Sequence, residues 1–262
     1  MPVIRKNARW LLPAFVFMIC ALIFFASTPG RAVLASGTTR QLPIYSVQKD
    51  DKVVALTFDA AWGNEDTNDL IDILDRYDIK ATFFVVGQWV DKYPESVKAL
   101  ADAGHEVMNH SNTHPYMTKL SEEQIAEEIN TCADKIKNVT GVRPILFRPP
   151  YGDYSDLVVN TAKAVEHYTI QWDVDSLDWK ESGVQDIVDR VLSKAAPGSI
   201  ILFHNAAKYT PQALPTVIEG LIQQGYTFAP VSELIYRDNY EMDHTGKQIP
   251  LGTEETQQEI QD

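Results

Sequence analysis

Cysteine is nearly absent: the 262 residues hold two, Cys20 and Cys132. Cys20 falls in an apolar N-terminal stretch, and the residues before it do not make a lipoprotein signal. If Cys132 is the only thiol in the exported part, no intramolecular disulfide and no cysteine-based metal site can form there, so stability must come from the core. Cys132 itself reads as a helix residue facing that core. Positive charge is scarce as well: 23 Lys and Arg against 36 Asp and Glu give a formal net charge of -13. Nucleic acid is thereby excluded as a partner, because phosphate binding needs a basic surface. No glycine-rich phosphate loop follows the first strand pattern, which counts against a nucleotide site. There is no internal repeat.

The N-terminus carries the first positive signal. Arg5, Lys6 and Arg9 precede an apolar run from Trp10 to Ala26. This charge-then-hydrophobe order marks an export signal or a signal-anchor. The run lies between a signal h-region and the roughly 20 residues of a full membrane span. Val33-Leu34-Ala35 offers a cleavage site, with Arg31 close by. Cleavage would leave a secreted protein and retention a membrane-anchored one. Either way the remaining chain is expected outside the cytoplasm.

After this leader, short β-rich runs alternate with longer amphipathic stretches. Strands are predicted over 53–58, 81–86, 105–109, 145–147, 168–172, 199–203 and 227–229. Helices are predicted over about 65–77 and 94–103, from Ser121 with Gln124 as a capping box, from Ser182 with Gln185, from Thr210-Pro211, and over 231–236. Beyond Asp238 the chain turns polar and loses periodicity, reading as a loosely ordered tail. Strand-helix alternation implies a parallel α/β sheet, either a (β/α) barrel or an open doubly wound one.

The polar residues fall in a pattern. Asp59 follows Phe58, His110 follows Asn109, Arg148 follows Phe147, Asp175 and Asp178 follow the strand that ends at Trp172, and His204 follows Phe203. The C-terminal strand ends of a parallel barrel open on one face, where such enzymes place their active sites. A lone Asp or His there is usually a cap, but five strands ending alike favour a functional site. His110 and His114, four residues apart, suit one divalent ion. With Asp59 and His204 on the same rim, metal-assisted hydrolysis is the chemistry expected.

Five segments then occur in order: Thr57-Phe58-Asp59, His110 to His114, Arg148-Pro149-Pro150-Tyr151-Gly152, Asp175 to Trp179 and Leu202-Phe203-His204. Together they resemble the successive motifs of the polysaccharide deacetylases, the family of chitooligosaccharide, chitin and peptidoglycan deacetylases. Ala61-Trp62-Gly63 is most similar to its sporulation-associated branch. The resemblance implies a distorted (β/α) barrel that removes N-acetyl groups from a cell-envelope glycan. In it Asp59 would be the general base and Arg148 its ionic partner. His110 and His114 would hold a divalent metal, zinc or cobalt. The Tyr151 N–H would stabilise the oxyanion, while Trp179 and Leu202 would wall the acetyl pocket. His204 would be the acid, with Asp178 raising its pKa. The resemblance spans about Val53 to Tyr236, and with the leader and tail read above the chain divides into a leader or anchor over 1–36, a catalytic domain over 37–237 and a tail over 238–262. The expected partner is a polysaccharide, with the membrane only through a retained leader, and the chain is read as a monomer.

The family usually places a second Asp after the base as a third metal ligand, and here that position is Ala60. A weak metal site is therefore expected unless Asp175, Asn64 or Glu65 substitutes. Two other readings stay open, a glycan-binding pseudoenzyme of the same fold and an O-acetyl esterase. Trp62 and Trp179 are expected at the rim, with Trp89, Trp172, His105 and His167 in structural roles.

Overall fold

The computed structural model describes residues 40–251. The leader expected over 1–36 lies outside the described residues. After a short β1 (Ser46–Val47), the alternating pattern becomes β2 (Val53–Ala60), β3 (Thr82–Val85), β4 (Glu106–Asn109), β5 (Leu146–Phe147), β6 (Tyr168–Thr169), β7 (Val174–Asp175), β8 (Ile200–His204) and β9 (Thr227–Phe228). The sheet order is β6-β5-β4-β3-β2-β8-β7, with β9 beside the start of β2, and the pairings are parallel. The two edge strands are consecutive in the chain. Seven strands laid flat would separate those edges by about 29 Å, whereas the chain from Thr169 to Val174 reaches at most about 18 Å. The sheet must therefore curl. The result is the distorted, incompletely closed (β/α) barrel.

Strand parity divides the core into layers. Val54, Leu56, Phe58 and Ala60 of β2 face an outer layer with Phe83, Val85, Ile201 and Phe203. Covering that layer are α1 (Thr67–Arg76), α2 (Gly87–Lys92), α3 (Pro94–Asp102), α6 (Val184–Lys194) and α7 (Thr210–Gln223). Ala55, Phe84, Met108, Leu146 and Ile200 face inward with Val231 and Leu234 of α8 (Val231–Leu234), which plugs one end. A third cluster lies under α4 (Glu122–Thr140) and α5 (Asp156–Ala164). Cys132 is fully buried on α4, and Trp89 is buried too.

Several local readings hold and others do not. Ser121 and Gln124 form the reciprocal capping box that opens α4. Ser182 does not cap α6; the helix starts from Gly183 at φ 112, a conformation that suits glycine and moves the start past the serine. The expected loose tail is instead paired through Pro250. β10 (Tyr240–Met242) and β11 (Lys247–Pro250) form a hairpin, and β11 runs parallel to β1. The buried Gln248 side chain accepts from the Tyr236 N–H at 2.9 Å and donates to its carbonyl at 2.8 Å. No helix among the described residues is long and apolar enough to cross a membrane.

Candidate active site

The inward parity that fills the barrel with Ala55, Phe84 and Ile200 ends, one or two steps on, in polar side chains. Asp59 and His204 are register partners on β2 and β8. Asn109 pairs with Phe147, so the next residues, His110 and Arg148, come side by side. The Arg148 N–H donates to the Asn109 carbonyl at 2.9 Å.

Arg148 is completely buried. Its Nη1 donates to Asp59 Oδ1 at 2.7 Å and its Nη2 to the Gln171 carbonyl at 3.1 Å, while the guanidinium lies 4.1 Å from the Phe84 ring centre. Burial alone would push the Asp59 carboxyl up, but Arg148, then His110 and His204, outweigh it and hold the carboxyl below its ordinary range. Asp59 is therefore an ionised, desolvated carboxylate.

A second pair stands beside it. Asp178 is fully buried behind His204 and accepts four hydrogen bonds. Oδ1 takes His204 Nδ1–H at 2.7 Å and the Trp179 N–H at 2.9 Å; Oδ2 takes the His204 N–H at 2.8 Å and the Thr210 hydroxyl at 2.7 Å. Burial would lower the His204 pKa, yet the bond and charge of Asp178, then Asp59 and Asp175, raise it above the ordinary value. With Nδ1 engaged, Nε2 is left to face the cavity as a proton donor.

The His110 Nδ1 lies 2.7 Å from the Arg148 carbonyl oxygen. A carbonyl only accepts, so Nδ1 carries the proton and Nε2 presents its lone pair. That nitrogen is 3.5 Å from Asp59 Oδ2, and two acceptors facing each other are suited to a cation. The His114 ring centre lies 5.0 Å from that of His110, and burial, then His110, pushes its pKa down to about 4, leaving a neutral ligand. The donor chemistry thus fits a divalent ion held by two imidazoles. A third side chain is not in place. Ala60 packs in the outer layer, the Asn64 amide bonds Ser96 at 3.0 Å, and Glu65 folds over Gly63. Asp175 shares the cavity, but no group of three His, Cys, Asp or Glu among the described residues is placed to hold an ion.

Asp59, His110, His114, Tyr151, Trp179, Leu202 and His204 line one cavity of about 450 Å³, together with Ala61, Trp62, Trp172 and Asp175. Arg148 and Asp178 stand behind this lining. Tyr151 has φ 60, and among the described residues its N–H has no hydrogen-bond partner. Trp172, expected in the core, is half-buried and forms part of the wall. Asn205 was not singled out from sequence. Its N–H donates to the Asp59 carbonyl at 3.0 Å, its Oδ1 accepts from the Ala61 N–H at 3.2 Å, and its amide donates to the Gly63 carbonyl. These bonds pin the loop that carries Trp62, and only its place after His204 hinted at them. A wider surface hollow between α1 and the start of α7 is lined by Asp69, Asp72, Asp75 and Arg76 and brings no candidate base or acid together.

Residues 46–170 match the family model described as polysaccharide deacetylase. The chain is 40% identical over 189 residues to the peptidoglycan-N-acetylmuramic acid deacetylase PdaC of Bacillus subtilis, covering 72% of this chain but 40% of PdaC. It is 36% identical to a peptidoglycan-N-acetylglucosamine deacetylase of Bacillus cereus, covering 73% of this chain and 92% of that one. Among solved structures, a CE4 family pseudoenzyme from Bacillus anthracis is similar with TM-score 0.72 and 37% identity, over 79% of this chain and 70% of that one. A mutant of that pseudoenzyme with restored enzymatic activity is as similar, with TM-score 0.72. The curled parallel sheet, the ordered strand-end residues and these matches agree: the chain belongs to the polysaccharide deacetylase family.

Proposed function

We propose that the chain is a hydrolase that removes N-acetyl groups from amino sugars of a cell-envelope glycan, with peptidoglycan as the favoured substrate. The observation that carries this reading is the pairing of an ionised base and a protonated acid across one cavity, each backed by a buried partner. Amide hydrolysis needs an activated water, a stabilised oxyanion and a proton for a poor leaving group. Asp59, held ionised by Arg148, takes the proton of the attacking water. The unpartnered Tyr151 N–H donates to the developing oxyanion. His204, its pKa raised by Asp178, gives a proton to the departing nitrogen. Trp179 and Leu202 wall the space for the acetyl methyl group. His110 and His114 would hold a divalent ion, zinc or cobalt. Such an ion supplies Lewis-acid polarisation of the carbonyl and of the water. The relatives named as peptidoglycan deacetylases support the substrate class and a place outside the cytoplasm, and Ala61-Trp62-Gly63 supports the sporulation-associated branch.

One specific observation favours a second reading. Ala60 removes a ligand, and the Bacillus anthracis neighbour is called a pseudoenzyme. Acetate release from peptidoglycan and chitooligosaccharides, with zinc or cobalt, tests both readings against Asp59→Asn and His110→Ala. Metal-stimulated release lost in both variants is the outcome expected. No release from either glycan by folded wild-type protein moves the function to glycan binding, and release from O-acetylated sugars alone makes it an esterase.

A further inference from the structure

Among the described residues, each large aromatic that is exposed sits at the mouth of the catalytic cavity: Trp62, Tyr116, Tyr151 and Trp179, at 58%, 55%, 57% and 55% exposure. Three of them line the cavity; Tyr116 lies just outside it. The Tyr116 ring stacks on Tyr151 with centres 4.4 Å apart and planes 19° apart. Tyr151 in turn meets His114 edge-on at 4.5 Å, and Trp62 meets the same histidine at 6.1 Å. A row of rings therefore runs from the reaction centre to the surface beyond it.

The outer end of the row is held in place from beneath. Tyr116 leads into the single turn Met117–Lys119, whose Met117 is fully buried. The next residue, Thr118, ties this turn to the one that carries Tyr151. Its N–H donates to Asp153 Oδ2 at 2.8 Å, and its hydroxyl reaches both carboxylate oxygens at 3.0 and 2.9 Å. The polar heads are free as well. Among the described residues, no hydrogen bond engages the Tyr116 or Tyr151 hydroxyl or the Trp62 or Trp179 indole N–H. Elsewhere such heads are used inside the protein: Trp89 donates to the Gly63 carbonyl at 2.9 Å and Tyr226 to the Ala195 carbonyl at 2.9 Å. Rigid rings in water with unengaged donors present an apolar face and a polar edge together. A pyranose has the matching surface, with C–H groups on its faces and hydroxyls around its rim.

We propose that the Tyr116–Tyr151 pair is a binding platform for the sugar unit next to the one that reacts, so that the site engages a glycan strand and not an isolated amino sugar. This rests on the glycan reading above and names the subsite that gives it chain-length dependence.

Calorimetric titration of the purified chain with chitobiose, chitotetraose and peptide-free peptidoglycan strands tests the platform without requiring turnover. Wild type should bind the longer ligands more tightly than the disaccharide. Tyr116→Ala and Tyr116→Leu should lose roughly tenfold on the long ligands, the worth of one good ring contact, with little change on the disaccharide. Tyr116→Phe should keep most of the affinity, and Ile222→Ala, on the exposed face of α7, all of it. Wild-type-like affinity in both Tyr116→Ala and Tyr116→Leu overturns the platform while the glycan reading stands. No binding of any of these glycans by folded wild type overturns both.

Discussion

Replacing Asp178 by Asn isolates what the buried acid partner does. The four donors around Asp178 are arranged two to an oxygen. An amide can serve only one pair, because its NH2 donates. If the amide oxygen faces His204 Nδ1–H and the Trp179 N–H, the NH2 meets the His204 backbone N–H, which cannot turn away. If it faces the other pair, His204 must move its proton to Nε2 and Nδ1 becomes an acceptor. Breaking a pair whose carboxylate is fully buried in this way costs up to about 3–5 kcal/mol, which for a domain of this size lowers Tm by up to roughly 6–20 °C. Because Asp178 raises the His204 pKa, the pair's titratable contribution is complete below the unfolded histidine value of about 6.5 and lost as pH rises through the folded value. The stability gap between wild type and variant should therefore be wider at pH 6 than at pH 9. In the variant burial dominates His204, so its imidazole resonances should titrate at lower pH. The alkaline limb of kcat/KM should move down with them. A fallen Tm with an unmoved His204 titration and an unmoved limb would refute the assignment of His204 as the acid that Asp178 sustains.

Arg148→Met should raise the Asp59 pKa and carry the acid limb of kcat/KM to higher pH, since burial then acts on the carboxyl against His110 and His204 alone. The wild-type pair stabilises the fold above the unfolded carboxyl pKa of about 4 and less as pH falls through the depressed folded value, so melting curves across that range should converge at low pH. Ser121→Ala removes one half of the capping box and should cost about 1 kcal/mol, with kcat/KM unchanged. Zinc titration should show binding weaker than nanomolar that is abolished in His114→Ala; nanomolar affinity retained in Asp175→Ala would contradict a two-imidazole site.

Much of this site is legible in the sequence because its residues stand at the C-terminal ends of short β-rich runs. Asp59, Arg148 and His204 each follow a phenylalanine that closes an apolar run, His110 follows Asn109 of β4, and the ends of adjacent parallel strands bring them to one face. What the sequence hides depends on distant contacts. The β10–β11 hairpin reads as tail because its buried polar group, Gln248, is satisfied by the Tyr236 backbone and not by apolar packing. α2 escapes notice because it is six residues long and its end abuts Pro94. Trp172 reads as core from its place at the end of an apolar strand, yet β6 ends at Thr169 and Trp172, beyond it, lines the cavity. The tyrosine platform depends on a bond between Thr118 and Asp153, a pairing that no local pattern announces.

Strand parity also bears on Ala60 and on the choice between catalysis and binding. Position 60 continues the outward set of Val54, Leu56 and Phe58, and its methyl is 1% exposed in the layer beneath the helices. Alanine suits that place, and a carboxylate would have to turn out of an apolar layer to meet an ion. The loss of a ligand is thus also a gain in packing, and alone it does not mark a retired enzyme. The two ion pairs argue the opposite way. Asp59–Arg148 and Asp178–His204 place four ionisable groups in a low-dielectric interior, where well-packed apolar residues of similar volume are often neutral or stabilising by about 1–4 kcal/mol. A glycan-binding groove built on exposed aromatic rings has no use for a buried base held ionised or for an imidazole whose proton is stabilised. Proton transfer at the cavity needs both. Their joint presence therefore weighs for hydrolysis, and Ala60 would weaken the hold on any ion bound there without removing the base or the acid.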